Sequence, residues 1–145
     1  MEFRKARDEE FNTNLAHGKI AATNVRGKSS IYGAEKVLDG NQKTYWATDD
    51  GVTSAMLELD FGKDVAFNRF LVQENIALGQ RVKKFSLQIW NGTTWRTITS
   101  QTTIGYKRIL RFPNVKTRKL RFVIEDAKAC PTITNIEIYD APETR

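Results

Sequence analysis

Between Ala34 and Ala47 the chain reads AEKVLDGNQKTYWA, which gathers hard oxygen donors into one turn beside a tryptophan. Asp39 supplies a carboxylate and Thr44 a hydroxyl, and the backbone carbonyls of Lys36, Asn41 and Thr44 are close enough in sequence to point inward. Calcium takes six to eight oxygen ligands, and a mixed carboxylate, hydroxyl and carbonyl set suits it better than zinc or copper. The stretch therefore reads either as a corner stapled by a structural calcium ion or as an ordinary Asp-Gly turn.

A second set of chemistry-bearing residues lies in two long loops, TNVRGKSSIYG at Thr23 to Gly33 and QENIALGQR at Gln73 to Arg81. Sugars are held by stacking an apolar ring face on an aromatic side chain while planar polar groups take the hydroxyls. Tyr32, Glu74, Asn75, Gln80, Arg81 and Lys128 are residue types of that kind. The competing reading is local: Tyr32 packs on its own loop, and Glu74 closes the loop as an ion pair with Arg81. Catalysis has less to work with. His17 is the only histidine, no nucleophile lies near it in sequence, and Cys130 is a lone cysteine, so neither a triad nor a disulfide has a basis.

The elements that position these loops are short and alternating. Apolar residues recur at period two over Leu57, Leu59 and Phe61, over Phe67 to Val72, and over Phe85, Leu87 and Ile89. Further strand-like runs cover Lys107 to Phe112, Lys119 to Ile124 and Ile133 to Tyr139, with turns such as Asn91-Gly92 between them. Many short strands without a long amphipathic helix argue an all-β sandwich or barrel. Alternation puts Trp90 on the face opposite Ile89, whereas Trp46 and Trp95 read as packing residues. The densely charged opening, MEFRKARDEE, carries Phe3 and Phe11 at helix-compatible spacing and suggests a linker or short helix over residues 1–13, with one domain over 14–145.

At 145 residues the chain is long enough for one self-sufficient core. No apolar run approaches the roughly 20 residues needed to span a bilayer, and the first residues lack the apolar stretch of a signal peptide, so the chain is expected to begin inside a longer protein. The formal charge of +6 comes with a crowd of basic residues, Lys107, Arg108, Arg111, Lys116, Arg118, Lys119 and Arg121. Ile109, Leu120, Phe122 and Ile124 lie between them, which suggests solvent faces of strands. No zinc-finger spacing, phosphate loop or RNA-binding aromatic signature accompanies the charge.

Four segments in order, NLAHGK at Asn14 to Lys19, VLDGNQKTYWAT at Val37 to Thr48, LELDFGK at Leu57 to Lys63 and ITNIEIYD at Ile133 to Asp140, resemble the discoidin or coagulation-factor type C domain. That family is also classed among the family 32 carbohydrate-binding modules. QENIALGQRVKKFSLQIW and TTIGYKRILRF further resemble the C-terminal domain of bacterial α-L-fucosidases. The resemblance implies a jelly-roll β-sandwich and a non-catalytic, carbohydrate-binding-type accessory domain that targets a glycoside hydrolase to fucose- or galactose-containing glycans. A purely structural domain packed on the catalytic part is the alternative. The resemblance also implies that Ile136, by its carbonyl, and Glu137 join Lys36, Asp39, Asn41 and Thr44 around calcium. It further implies a periplasmic or extracellular parent, a monomeric fragment, and no nucleic-acid or membrane partner. Loop-tip Ile31 and Ile76 are the only features in favour of a membrane surface. The chain departs from the family's galactose-binding pattern, with Ala47 where a histidine follows the loop tryptophan and Pro131 and Thr132 in place of the late aromatic.

Overall fold

The computed structural model describes residues 13–27, 29–41 and 43–142, so the expected linker with Phe3 and Phe11 lies, apart from Thr13, outside the described residues. The alternating runs become antiparallel strands β1 (Lys19–Ala22), β2 (Trp46–Ala47), β3 (Ala55–Glu74), β4 (Val82–Trp90), β5 (Trp95–Gln101), β6 (Arg108–Ala127) and β7 (Thr132–Tyr139). A single α-helical turn at Ser29–Tyr32 and 3-10 turns at Ala34–Leu38 and Ile76–Leu78 complete the described elements. The fold is all-β, as the pattern predicts.

Runs that look separate in sequence are halves of longer strands. Leu57 to Phe61 and Phe67 to Val72 both belong to the 20-residue β3, and the two basic-rich runs both belong to the 20-residue β6. Register shifts between Asp60 and Val65 and between Phe67 and Arg69 let the paired strands bend without parting, the usual effect of a bulge. Gly62 takes φ +78° at this bend and donates its N–H to Asp60 Oδ1 at 2.8 Å. That bond, ahead of the nearby basic residues, holds the Asp60 carboxyl below its ordinary range.

Because β3 and β6 pass through the bend together, the ladder forms two layers. The first half of β3 lies between β1 and the second half of β6, which continues to β4 and β5. The second half of β3 lies between β7 and the first half of β6, and β2 adds to the outer edge of β7. The inner faces meet in a buried core of Leu57, Phe70, Phe85, Leu87, Phe122 and Ile138 among others. Phe122 reaches across to Phe70 at 5.8 Å between ring centroids and beside it to Phe85 at 5.4 Å. These layers form the jelly-roll sandwich.

The outer face of the first layer carries the charge. Arg121 pairs with Glu58 at 2.9 Å and lies 3.8 Å over the ring of Trp95, which in turn contacts Trp90 at 5.5 Å. Lys83, Lys84 and Arg118 pair with Asp126, Glu125 and Asp60. The basic crowd of β6 thus lies largely on solvent faces, partly neutralised by acidic neighbours on adjoining strands.

The start of the described chain is tied to its end. Asn14 Oδ1 accepts N–H bonds from both Ala16 and Ile138 at 3.0 Å, and the Leu15 N–H donates to the Ile138 carbonyl at 2.7 Å. Two residues beyond β7, the Asn68 side-chain amide mimics a strand partner, donating to the Ala141 carbonyl and accepting its N–H at 2.9 and 2.8 Å. Gly18 lies where this start meets β3, with φ +142° and space for no side chain: a Cβ there would stand 2.2 Å from the Asp60 carbonyl oxygen. Both the backbone conformation and the contact oppose any larger residue. Gly18→Ala should lower stability by about 2–3 kcal/mol, read as a reduced denaturation midpoint in urea.

Candidate functional site

One end of the sandwich is built by three loops and the short β2, and they enclose a cleft of about 520 Å³. The loop after β1 is fastened first. Trp46, fully buried, donates its ring N–H to the Asn24 carbonyl at 2.9 Å, and the Asp49 N–H reaches Asn24 Oδ1 at 2.9 Å. The Arg26 N–H donates to the Ala47 carbonyl at 2.8 Å, and its guanidinium reaches Asp50 Oδ1 at 2.5 Å. Arg26 holds the Asp50 carboxyl below its ordinary range by that hydrogen bond and by its charge, and is itself held more firmly protonated. Tyr32 and Tyr45 meet at 5.5 Å between ring centroids with planes inclined at 47°. Burial, with a smaller contribution from Tyr32, pushes the Tyr45 hydroxyl pKa up.

The loop after β3 is fastened by Glu74. This residue is 1% exposed, and its Oε1 accepts the N–H groups of Arg81 at 2.8 Å and Val82 at 3.0 Å. Oε2 accepts the Gly105 N–H at 3.0 Å. A buried carboxylate needs such donors. Glu74 therefore closes the loop, in line with the local reading of the sequence, but through backbone N–H groups of Arg81 and its neighbours rather than through an ion pair with the guanidinium. The Arg81 guanidinium is turned to the loop after β6, with Nη1 donating to the Cys130 carbonyl at 2.9 Å and lying 3.2 Å from Cys130 Sγ. The Arg81 carbonyl accepts the Lys128 N–H at 2.8 Å.

Of the six residues expected to touch a ligand, the structure brings Tyr32 and Arg81 to the cleft. Glu74 is beneath it as a loop anchor. Asn75 is half-buried, with its N–H on the Thr132 carbonyl at 3.1 Å, and Gln80 and Lys128 are exposed beside the cleft without lining it. Arg26, Tyr45, Asp50, Cys130 and Thr132 line it as well, outside those six. Ala47 and Thr132, positions where galactose-binding relatives differ, face each other in the β2–β7 register and both line the cleft. Arg26 lies within the first loop and Tyr45 beside the tryptophan, both inside segments already marked. The sequence carries no sign that they face one another.

The oxygen-rich corner lies at the end of the Ala34–Leu38 turn, with Asp39 as its C-terminal cap. Asp39 accepts the Asn41 N–H at 2.9 Å on one oxygen and the Thr44 hydroxyl at 2.5 Å on the other. The Thr44 carbonyl accepts the Thr134 hydroxyl at 2.7 Å, which ties the corner to β7. On β7 the Ile136 side chain is in the core, while the Glu137 carboxylate accepts from the Asn135 amide and the Tyr139 hydroxyl. Burial first, and then Glu137, push the Tyr139 hydroxyl well above its ordinary range. Among the described residues no three His, Cys, Asp or Glu side chains gather as a metal cluster. An ion here must draw on the hydroxyl of Thr44 and on main-chain carbonyls as well as Asp39 and Glu137. That all-oxygen set fits a hard cation such as calcium.

A model of the F5/F8 type C group described as a NedA-like, galactose-binding domain matches residues 36–122. The chain is 34% identical over 143 residues to Arabidopsis thaliana alpha-L-fucosidase 1, covering 95% of this chain and 28% of that protein. Among solved structures it is similar to a Bacteroides thetaiotaomicron protein at TM-score 0.88 and 38% identity, over 95% of this chain and 31% of that one. It is also similar to a Ruminococcus gnavus GH29 fucosidase in complex with fucose, at TM-score 0.88 and 30% identity, over 98% of this chain and 29% of the other. The chain thus spans under a third of each relative, and plants as well as bacteria carry such relatives.

Removing the Glu74 carboxylate leaves buried N–H groups of Arg81, Val82 and Gly105 without an acceptor. Glu74→Ala should cost about 3–5 kcal/mol in urea denaturation. Hydrogen exchange at the amides of Arg81 and Val82 should accelerate more than exchange in β4 beyond them.

Proposed function

Because the chain belongs to the NedA-like, galactose-binding family of F5/F8 type C domains, we propose that it is the non-catalytic, carbohydrate-binding accessory domain of an α-L-fucosidase. In the fucosidase relatives this domain is joined to a catalytic part that these 145 residues do not include. The observation that carries the reading is the loop-end cleft, where two tyrosine rings, two guanidinium groups and a carboxylate converge. Tyr32 and Tyr45 offer apolar ring faces, and Asp50, Arg26 and Arg81 offer acceptors and donors for hydroxyl groups. Rigid strands beneath the loops hold these groups in place. Weak binding is sufficient, because tethering a catalytic domain to a glycan raises its effective concentration at the linkages it cleaves.

An exposed apolar face around Trp90 would favour the alternative of a purely structural domain. Trp90 is half-buried against Trp95, whose own ring lies under Arg121. A membrane-surface role rests on the exposed side chains of Ile31, Ile76 and Leu78 alone. The parent is proposed to act in the periplasm or outside the cell, where glycans are found. Calcium at the corner of Asp39, Thr44 and Glu137, with the carbonyls of Lys36, Asn41 and Ile136, supports the fold there. Its charge would replace the hydroxyl now held on Asp39 and join the loop to the last strand.

A glycan array probed with the purified domain in calcium should give saturable binding to fucosylated or galactosylated glycans. Tyr32→Ala and Arg81→Ala should each weaken a hit by about tenfold or more, with unchanged melting temperature. Silence across the array would rule out the targeting role. Separately, millimolar calcium should raise the melting temperature by several degrees, as expected for a ligand that binds only the folded state. Chelator should reverse the rise and Asp39→Ala should abolish it.

A further inference from the structure

Three features of the cleft bear on what would fill it. The first is the charge of Arg81. Arg26 is neutralised by Asp50 at 2.5 Å, but among the described residues no carboxylate pairs with the Arg81 guanidinium. The second is geometry. Among the described residues only Nη1 of Arg81 is engaged, by the carbonyl and sulfur of Cys130, so the edge formed by Nε and Nη2 keeps its donors. The backbone of Arg81 is held on both sides, its N–H by Glu74 and its carbonyl by Lys128, so the side chain starts from a fixed point. The third is Thr132. The residue is 2% exposed and lines the cleft, and Oγ1 has no hydrogen-bond partner among the described residues. A buried hydroxyl left in that state costs free energy that a ligand oxygen or water at the cleft floor would recover.

We propose that the cleft selects a saccharide unit bearing a carboxylate, a uronic acid, which lays its carboxylate on the free edge of Arg81 and one ring oxygen or hydroxyl against Thr132. This inference rests on the carbohydrate-binding reading and gives it a substrate class. A guanidinium edge presents two parallel N–H donors that match a planar carboxylate. Tyr32 and Tyr45 flank the same space with ring faces for the pyranose. Asp50 does not repel such a ligand strongly, because Arg26 occupies it. The arrangement therefore divides the recognition among its residues. Arg81 takes the acid, the tyrosines take the ring, and the Arg26–Asp50 pair and Thr132 are left for hydroxyls.

Titration calorimetry of the domain with oligogalacturonate and oligoglucuronate, their methyl esters, neutral galacto-oligosaccharide and a sulfated galactan tests this. The acid forms should bind roughly tenfold more tightly than their methyl esters, and the preference should shrink as salt is raised. Arg81→Gln should remove the preference, so that acid and ester bind equally. Thr132→Val should weaken binding several-fold with melting temperature unchanged or raised, since it removes a hydroxyl that the free protein leaves unpaired. Equal binding of acid and ester would overturn the uronic-acid assignment and leave the carbohydrate-binding role standing. Tighter binding of the sulfated galactan would overturn the carboxylate in favour of a sulfate ester. No binding of any saccharide would overturn the proposal together with the role on which it rests.

Discussion

The pairing of β3 with β6 along nearly their whole lengths is the constraint from which the rest of the molecule follows. Each strand is long enough to serve both layers, and because they bend together the two layers cannot separate without breaking one continuous ladder. Phe70 and Phe122 come from opposite layers of the sandwich and meet in the core, so the bend and the core support one another. A sandwich built in this way is dominated by contacts between residues distant in sequence. Such topologies fold slowly. They also provide a stiff base, on which loops can vary without disturbing the core.

That base explains the character of the cleft. Its floor is made where β2 and β7 pair, and its walls are loops fastened by buried groups: Trp46 for the loop after β1, and Glu74 for the loop after β3. Neither fastening group lines the cleft. Both bury polar atoms and satisfy them with backbone partners, which is how a buried indole or carboxylate escapes its desolvation cost. The cleft-lining residues can then be chosen for recognition alone. Arg81 shows both roles at one position: its main chain belongs to the anchor, and its side chain belongs to the cleft.

The corner around Asp39 follows a different logic. Its oxygens are already occupied by one another, with Thr44 on Asp39 and Thr134 on the Thr44 carbonyl, so the corner is coherent without an ion. An ion would strengthen a junction that exists rather than create one. The junction links the turn after Leu38 to the last strand, the same strand that Asn14 ties to the beginning of the domain. The corner and the closure of the chain are therefore connected through β7.

The all-β class and the oxygen-rich turn were legible in sequence, because period-two alternation and turn chemistry are local signals, while the choice of a sandwich over a barrel came from the resemblance of four segments to the type C family. Leu57, Leu59, Phe85 and Leu87 are buried where their alternation put them. The merging of separate runs into β3 and β6 was not legible, since a bend accommodated by a register shift looks in sequence like a loop between two strands. The cleft was half legible. Tyr32 and Arg81 could be named because they are suitable residue types in long loops, but Glu74 has the same credentials and is buried as an anchor. No local rule distinguishes a carboxylate that faces solvent from one that collects three N–H groups. Arg26, Asp50 and Cys130 are separated by up to 104 positions and approach one another only across the sandwich end. Residue types and periodicity, which act over a few positions, thus determined the class of fold and the stock of chemistry. Which side chains share a cleft, and which of its guanidinium groups has a carboxylate ion-pair partner among the described residues, was decided by tertiary packing, because charge and geometry act through space between segments that the sequence keeps apart.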